Sequence, residues 1–111
     1  MKISAQDFEH ITVVTLSGEH TIEDVDQFNR VVNERVNATA RHIVIDCEHL
    51  EFIDSAGLEC LLRLQERLGA KGGQLRLVKT DETIDTILRL TRLDLALENH
   101  DSIEHAVRSL R

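Results

Sequence analysis

The alternation of apolar and polar stretches along the chain predicts strands and helices that follow one another with few interruptions. Residues 11–16 are rich in β-branched side chains and predict a strand, which a shorter strand near Ile3 precedes. Residues 42–47 include three successive apolar β-branched residues, a pattern typical of a strand covered on both faces. Two further strands are predicted at residues 75–78 and, more briefly, at residues 95–97.

Apolar residues spaced three and four positions apart predict four helices between and after these strands. The apolar stripes are Val25, Phe28, Val32 and Val36, then Leu58, Leu61, Leu62 and Leu68, then Ile84, Ile87 and Leu88, and finally Ile103, Ala106, Val107 and Leu110. Polar residues that suit the helix starts precede each stripe. They are Thr21 with Asp24 as a capping box, Ser55, Thr80 or Asp81, and Asp101 with Glu104.

The resulting order, β-β-α-β-α-β-α-β-α, indicates an α/β fold. Strands that are separated by helices need crossover connections, so most of the sheet should be parallel. The first two strands have no helix between them and should pair antiparallel, which makes the sheet mixed. We therefore expect one domain over residues 1–111, with a mixed sheet of four to five strands packed against about four helices.

The composition restricts both the core and the class of partner. Hydrophobic residues make up 41% of the chain and aromatic residues only 3%, so the core must be aliphatic and few rings could stack on bases. The 13 basic and 20 acidic side chains give a net charge of −7. This charge argues against nonspecific binding of nucleic acid or of anionic membranes.

Neither a membrane span nor a secretion signal is visible in the sequence. No stretch approaches the roughly 18 consecutive apolar residues that a membrane span requires. Residues 1–10 lack the apolar centre of a signal peptide. We therefore expect a cytoplasmic protein with no direct membrane insertion.

The cysteines and histidines give little indication of a metal site. Cys47 and Cys60 are interpreted as small core residues. The run Cys47-Glu48-His49 could begin a metal site, but no second Cys/His pair follows at ligand spacing, and we expect no metal and no cofactor. Surface or edge positions are the default for histidine, although His20 and His49 could approach the start of the second helix. The histidines are His10, His20, His42, His49, His100 and His105.

Sequence motifs of hydrolases and nucleotide-binding proteins are absent. No glycine precedes Ser55 at the spacing of a nucleophile elbow. Gly72-Gly73 has no following Gly-Lys-Ser/Thr and ends a helix instead. Nucleotide binding by the domain itself is a third and weaker alternative, because the acidic loop would repel phosphates without a metal ion. We expect no enzymatic activity.

The segment with the most distinctive chemistry is Phe-Ile-Asp-Ser-Ala-Gly-Leu at residues 52–58, which begins in a predicted loop at residues 48–53. It lies at the carboxyl end of the most apolar strand, where sites of open α/β sheets gather. Ser55 would lie at the N-cap or in the first turn, where free N–H groups and the helix dipole favour an added phosphate. Ala56 and Gly57 are small and would let another protein's active site approach. The alternative is that Ser55 is an ordinary cap.

Asp54-Ser55-Ala56-Gly57-Leu58, followed by Leu61-Leu62, resembles the signature of STAS domains, especially of bacterial anti-sigma factor antagonists. The resemblance covers nearly the whole chain. It implies a non-catalytic regulator in which Ser55 is phosphorylated by an ATP-dependent serine kinase of the histidine-kinase-like ATPase type. That kinase is often also the anti-sigma factor. The unphosphorylated form would bind it, and a metal-dependent serine phosphatase would remove the phosphate.

The same resemblance implies a partner-binding surface around the phosphorylation site, formed by Asp54, Ala56, Gly57, Leu58, Glu59, Glu19, His20 and Thr21. The chain departs from the family pattern at two places, which bear on the choice of partner. Family members commonly have Leu-Asp where this chain has His20-Thr21, and a small residue in place of Glu59. An alternative reading is a constitutive STAS subunit of a lipid-transport ABC assembly or of an anion transporter.

Acidic residues are concentrated in two segments without Lys or Arg, residues 18–29 and 46–62. In the predicted topology the turn at residues 18–21 and the loop at residues 48–55 lie at the same end of adjacent strands, which predicts an acidic patch around Ser55. Such a patch could simply face water. It could also dock a basic partner surface, and association would then slow as salt rises. The nine acids are Glu19, Glu23, Asp24, Asp26, Asp46, Glu48, Glu51, Asp54 and Glu59.

Overall fold

Five strands form one mixed sheet in the computed structural model, which describes residues 1–110. Strands β1 (Lys2–Phe8) and β2 (Ile11–His20) form an antiparallel hairpin. Strands β3 (His42–Ile53), β4 (Leu75–Val78) and β5 (Asn99–His100) then add in sequence order, each parallel to its neighbour. The predicted mixed α/β fold is confirmed.

Four helices cover the two faces of this sheet. The first three follow β2, β3 and β4, and because neighbouring strands are joined by crossovers of one hand, these helices share one face. The fourth packs on the opposite face. Within residues 1–110, no helix combines the length and the apolar character that a membrane span needs. The helices are α1 (Val25–Asn37), α2 (Ser55–Ala70), α3 (Glu82–Leu90) and α4 (Ile103–Ser109), with 3₁₀ turns at Ile22–Asp24 and Leu93–Leu95.

The two-sided burial that the apolar run of β3 predicts is present. Ile43 and Ile45 are fully buried under the three helices, while Val44 is fully buried beneath Ala106 of α4. Each such side chain stabilises the fold by about 1.5–3 kcal/mol relative to an exposed one. This buried strand gives the start of α2 a rigid base.

The predicted loop at residues 48–53 is wrong, because β3 continues through it to Ile53. Strand β2 also extends past the predicted end at Leu16 and pairs with β3 as far as His20. The pairing is irregular, with register shifts near Ser17 and Gly18, and Gly18 adopts a φ of +91°. These shifts break the alternation of apolar and polar residues, which is why the sequence pattern reads as a turn and a loop.

The predicted strand at residues 95–97 is also wrong. Residues Leu93–Leu95 form a 3₁₀ turn, in which the N–H groups of Ala96 and Leu97 donate to the carbonyl of Leu93. Of the three residues of the predicted strand, only Leu97 is buried, whereas Leu95 is 87% exposed. The fifth strand forms two residues later, at Asn99–His100.

The structure decides the predicted capping residues at three helix starts. The Thr21–Asp24 capping box is confirmed, and Asp81, the second of the two candidates, caps α3. The prediction for the last helix is wrong, because Ser102 and not Asp101 caps α4. The Ser102 side chain accepts a hydrogen bond from the His105 N–H, which fixes the helix start one residue later.

Candidate functional site

Ser55 lies at the edge of the sheet where β2 and β3 end together. Glu19 pairs with Phe52, and His20 pairs with Ile53, immediately before the chain turns into α2. The predicted proximity of residues 18–21 to residues 48–55 is therefore confirmed. Both segments are held by backbone pairing, so the site rests on regular structure.

Asp54 joins three elements at this edge. Its Oδ1 accepts a hydrogen bond from the Gly57 N–H at 2.8 Å, which caps α2. Its Oδ2 accepts from the Ile22 N–H at 2.9 Å, and its own N–H donates to the His20 carbonyl at 3.1 Å. Asp54 thus fixes the first 3₁₀ turn and the end of β2 relative to the helix.

Ser55 is the first residue of α2 and is exposed. Of the two predicted positions, the structure therefore selects the first turn and gives the cap to Asp54. Within the described part of the chain, 1–110, the Ser55 hydroxyl forms no hydrogen bond. The oxygen is free to react without breaking an internal contact, and nearby first-turn N–H groups lack intrahelical acceptors.

Gly57 has a different role from the one predicted. It is buried, and a Cβ at this position would lie 2.5 Å from the His20 carbonyl oxygen and 2.7 Å from Ile53 Cγ1. Its small size therefore allows α2 to approach the ends of β2 and β3, and does not open a path for another protein. Ala56 is half-buried and remains at the surface.

His20 contradicts the expectation of a surface or edge histidine. None of its side chain is exposed, and the ring lies 4.7 Å from the ring of Phe28. Burial lowers the pKa of His20 below its usual value of 6.5, against the opposing charges of Asp24 and Asp54. The imidazole is therefore not a partner contact in this conformation.

A second histidine is also buried. His42 is 5% exposed at the start of β3, and its Nδ1 accepts a hydrogen bond from the Gln74 N–H at 3.0 Å. The expectation that histidines lie at the surface holds for His49, which is exposed on β3.

Other predicted contact residues fall into internal and external groups. Leu58 is 5% exposed and belongs to the core, so its side chain is not available to a partner. The Thr21 side chain serves the capping box, in which the Asp24 carboxylate accepts from the Thr21 N–H at 2.9 Å. That bond lowers the pKa of Asp24 more than any other interaction. Glu19 and Glu59 are exposed.

The acidic patch is smaller than the sequence indicates. The carboxylates of Asp24, Asp46 and Asp54 accept internal hydrogen bonds. Glu48 pairs with Lys79 at 3.3 Å, and Glu59 pairs with Arg63 at 2.5 Å. Four exposed acids without an ion pair in the described chain remain, namely Glu19, Glu23, Asp26 and Glu51.

Two exposed apolar residues border the site, and the sequence analysis missed both. Ile22 is 72% exposed and Phe52 is 41% exposed. Ile22 also lines a shallow groove between α1 and α2, with Ala56 and Glu59 on the other side. Ile22 lies three residues before Val25, a spacing that fits the apolar stripe of the helix, so the sequence carries no signal that Ile22 is exposed.

The cysteines lie in the core, as predicted. Cys47 and Cys60 are buried free thiols, and burial raises the pKa of both, that of Cys47 to about 12. Within residues 1–110 no group of three or more His, Cys, Asp or Glu side chains could hold a metal ion.

The family model of the STAS domain matches residues 2–106 of the chain. The chain belongs to the STAS domain family. The element order and the placement of Ser55 after the central strand are those that the sequence resemblance implies. The fold therefore agrees with a STAS domain over nearly its whole length.

Several anti-sigma factor antagonists are similar to this STAS domain. The anti-sigma F factor antagonist of Paenibacillus polymyxa is 23% identical over 111 residues, which cover 99% of this chain and 95% of that protein. A candidate anti-sigma factor antagonist from Thermotoga maritima has a crystal structure with a TM-score of 0.89 at 23% identity, covering 96% of this chain and 92% of that one.

A third similar structure is that of the Bacillus cell fate determinant SpoIIAA in its phosphorylated form. Its TM-score is 0.75 at 20% identity, and the match covers 97% of this chain and 98% of that one. At such identities the two structural likenesses show a shared fold. This STAS domain is therefore similar in sequence to an anti-sigma factor antagonist and shares its fold with the two solved structures.

Proposed function

We propose that this STAS domain is a non-catalytic, cytoplasmic regulator in a partner-switching pathway. In its unphosphorylated form it binds a serine kinase of the histidine-kinase-like ATPase type, which is also an anti-sigma factor. Phosphorylation of Ser55 by that kinase ends the complex, and a metal-dependent serine phosphatase restores the binding form. Relatives described as anti-sigma factor antagonists support this proposal.

The observation that carries the proposal is the state of the Ser55 hydroxyl. It is exposed on the first turn of a 16-residue helix and has no hydrogen-bond partner within residues 1–110. The capping role that an unmodified serine would normally take is filled by Asp54, whose Oδ1 accepts from the Gly57 N–H. Ser55 is thus not needed for capping and is available to a kinase.

A phosphate on Ser55 would change the surface more than the fold. It would bring a charge of about −1.5 to −2 and three acceptor oxygens to a helix N-terminus, which tolerates an anion. The Asp54 carboxylate adjoins it, and Glu59 lies four residues along the helix. The added bulk, the cost of desolvating the phosphate and its repulsion from Asp54 and Glu59 would disrupt a contact that fits the neutral serine, and the domain itself would stay folded.

The surface around Ser55 is suited to a partner with an apolar contact and a basic margin. Ile22 and Phe52 offer exposed apolar area, and the groove between α1 and α2 adjoins Ile22. Three exposed acids without an ion pair adjoin these residues: Glu23 follows Ile22, Glu51 precedes Phe52, and Glu19 pairs with Phe52 in the sheet. Complementary charge of this kind mainly raises the association rate and the selectivity of binding.

The proposal is tested by incubating the protein with its cognate histidine-kinase-like ATPase, Mg²⁺ and ATP. Intact mass should increase by one phosphate, and Ser55→Ala should abolish the increase. Ser4→Ala, which changes an exposed serine on β1, should leave it intact. Absence of phosphate from Ser55 would contradict the phosphorylation step.

Measurements of kinase binding test the switch separately from the phosphorylation step. Ser55→Ala should bind the kinase persistently, whereas Ser55→Asp should bind at least about tenfold more weakly, which corresponds to about 1.4 kcal/mol. Equal affinity of the two variants would rule out the switch. Co-purification with an ATPase and a permease, without phosphorylation, would instead favour a constitutive subunit of a transport assembly.

A further inference from the structure

The His20 imidazole is a buried titratable group that packs against the start of α2. Its side chain is 0% exposed, and among residues 1–110 neither Nδ1 nor Nε2 has a hydrogen-bond partner. The Phe28 ring lies at 4.7 Å, and a Cβ on Gly57 would come within 3.1 Å of the imidazole Cγ. These surroundings accommodate a neutral ring and leave no room to hydrate an imidazolium ion.

The charged groups that act on His20 come from three directions. Asp24 acts from the first 3₁₀ turn, Asp54 from the cap of α2, and the Met1 amino group from the start of β1. Strands β2 and β3 contribute the backbone pairing of His20 with the apolar residue Ile53. Helix α1 contributes the apolar ring of Phe28.

Both neighbouring carboxylates are already engaged. Asp24 accepts from the Thr21 N–H, and Asp54 accepts from the N–H groups of Ile22 and Gly57. They act on His20 through charge, but neither forms a hydrogen bond with its ring. A proton on His20 would therefore leave a buried cation without a hydrogen-bonded partner, which is strongly unfavourable.

We propose that His20 makes the Ser55 site sensitive to acid, because protonation drives the imidazole out of its pocket and loosens the first 3₁₀ turn from α2. The ring packs against Phe28 of α1, the helix that directly follows the 3₁₀ turn, and against Gly57 of α2, so its departure removes contacts from both helices. The Asp54–Ile22 hydrogen bond spans the same junction. A partner that needs this surface would bind less well in mildly acid solution, whether or not Ser55 is phosphorylated.

The direction of the pH effect follows from which state, folded or unfolded, binds the proton more readily. In the unfolded chain His20 titrates near the ordinary value of 6.5, whereas burial opposes protonation in the folded protein. The unfolded state therefore binds more protons below that value, and stability falls as the pH drops. For one such histidine the folding equilibrium constant falls by up to about tenfold between roughly pH 7.5 and 5.5.

The test compares urea unfolding of the wild type, His20→Phe and His20→Leu at both pH values. His49→Gln is the matched control, because His49 is exposed on β3. When the pH falls from 7.5 to 5.5, the folding equilibrium constants of the wild type and of the control should decrease up to about tenfold further than those of the two His20 variants. Apart from His49, which only the control lacks, all other histidines are common to these proteins, so an equal loss in every protein would overturn the proposal.

A pH titration of the wild type, followed by NMR of the imidazole rings and the backbone amides, tests the proposal without a variant. The His20 ring resonances should titrate below the ordinary value of 6.5, and the Ile22 and Gly57 amide signals should shift with the same midpoint. A His20 midpoint at or above 6.5 would overturn the proposal. So would a His20 titration that leaves both amides unchanged, because protonation would then not reach the Ser55 site.

Discussion

The Oδ2 atom of Asp54 accepts a hydrogen bond from the backbone N–H of Ile22 at 2.9 Å, across 32 positions of the sequence. The other carboxylate oxygen caps α2 through the Gly57 N–H. One side chain thus holds the helix that presents Ser55 next to the 3₁₀ turn that presents an exposed isoleucine. The geometry of the proposed binding surface depends on this carboxylate.

Replacement of Asp54 by alanine should destabilise the fold by about 2–3 kcal/mol, because two backbone N–H groups lose their acceptor. Asp81→Ala is the matched control, since Asp81 caps α3 through one hydrogen bond, to the Ile84 N–H. That variant should lose only about 1 kcal/mol. Urea unfolding measures both values, and equal losses would mean that the bond to Ile22 contributes nothing to stability.

Gly57→Ala should destabilise the fold by about 1–3 kcal/mol, because the new methyl group would overlap the His20 carbonyl and Ile53. Gly69→Ala tests the ordinary effect of the same change within α2, where a Cβ meets no atom within 4 Å. It should stabilise the helix by about 0.5–1 kcal/mol. Thermal or urea unfolding would contradict the packing role if both variants changed stability in the same direction.

Ile22→Ser should weaken partner binding and leave the fold intact. Ile22 is 72% exposed beside Ser55, so truncation removes apolar contact area and little internal packing. We expect a loss of about 1–2 kcal/mol of binding free energy, as for a central interface residue. Leu90→Ser is the control, because Leu90 is 78% exposed at the end of α3. Titration calorimetry with the kinase should find the control unchanged, and equal weakening by both would exclude a local contact.

Association with the kinase should slow as ionic strength rises. The exposed acids Glu19, Glu23 and Glu51 have no ion pair within residues 1–110, so their field reaches an approaching basic surface. The triple Gln variant should lower the association rate and flatten its dependence on salt. Glu104→Gln, which removes an acid already paired with Arg108 on α4, should do neither. Stopped-flow association rates that do not respond to salt would contradict docking through this patch.

Much of the fold could be predicted because regular elements leave periodic marks. The stripes of α1 and α2 and the apolar run of β3 record which faces are buried, and the structure places them accordingly. The predictions failed where local hydrogen bonds or irregular pairing override that periodicity. The extension of β2 and β3 through register shifts and the 3₁₀ turn at Leu93–Leu95 are such places.

The sequence by itself determined the class of fold, the family resemblance and the position of Ser55 at the start of a helix. Those properties depend on residue type and short spacing, which a single chain displays directly. Only the tertiary structure decided that Asp54 bonds to Ile22, that His20 is buried and that Gly57 serves internal packing. Each depends on how the ends of β2 and β3 align with α2, and this alignment brings together residues that are distant in sequence.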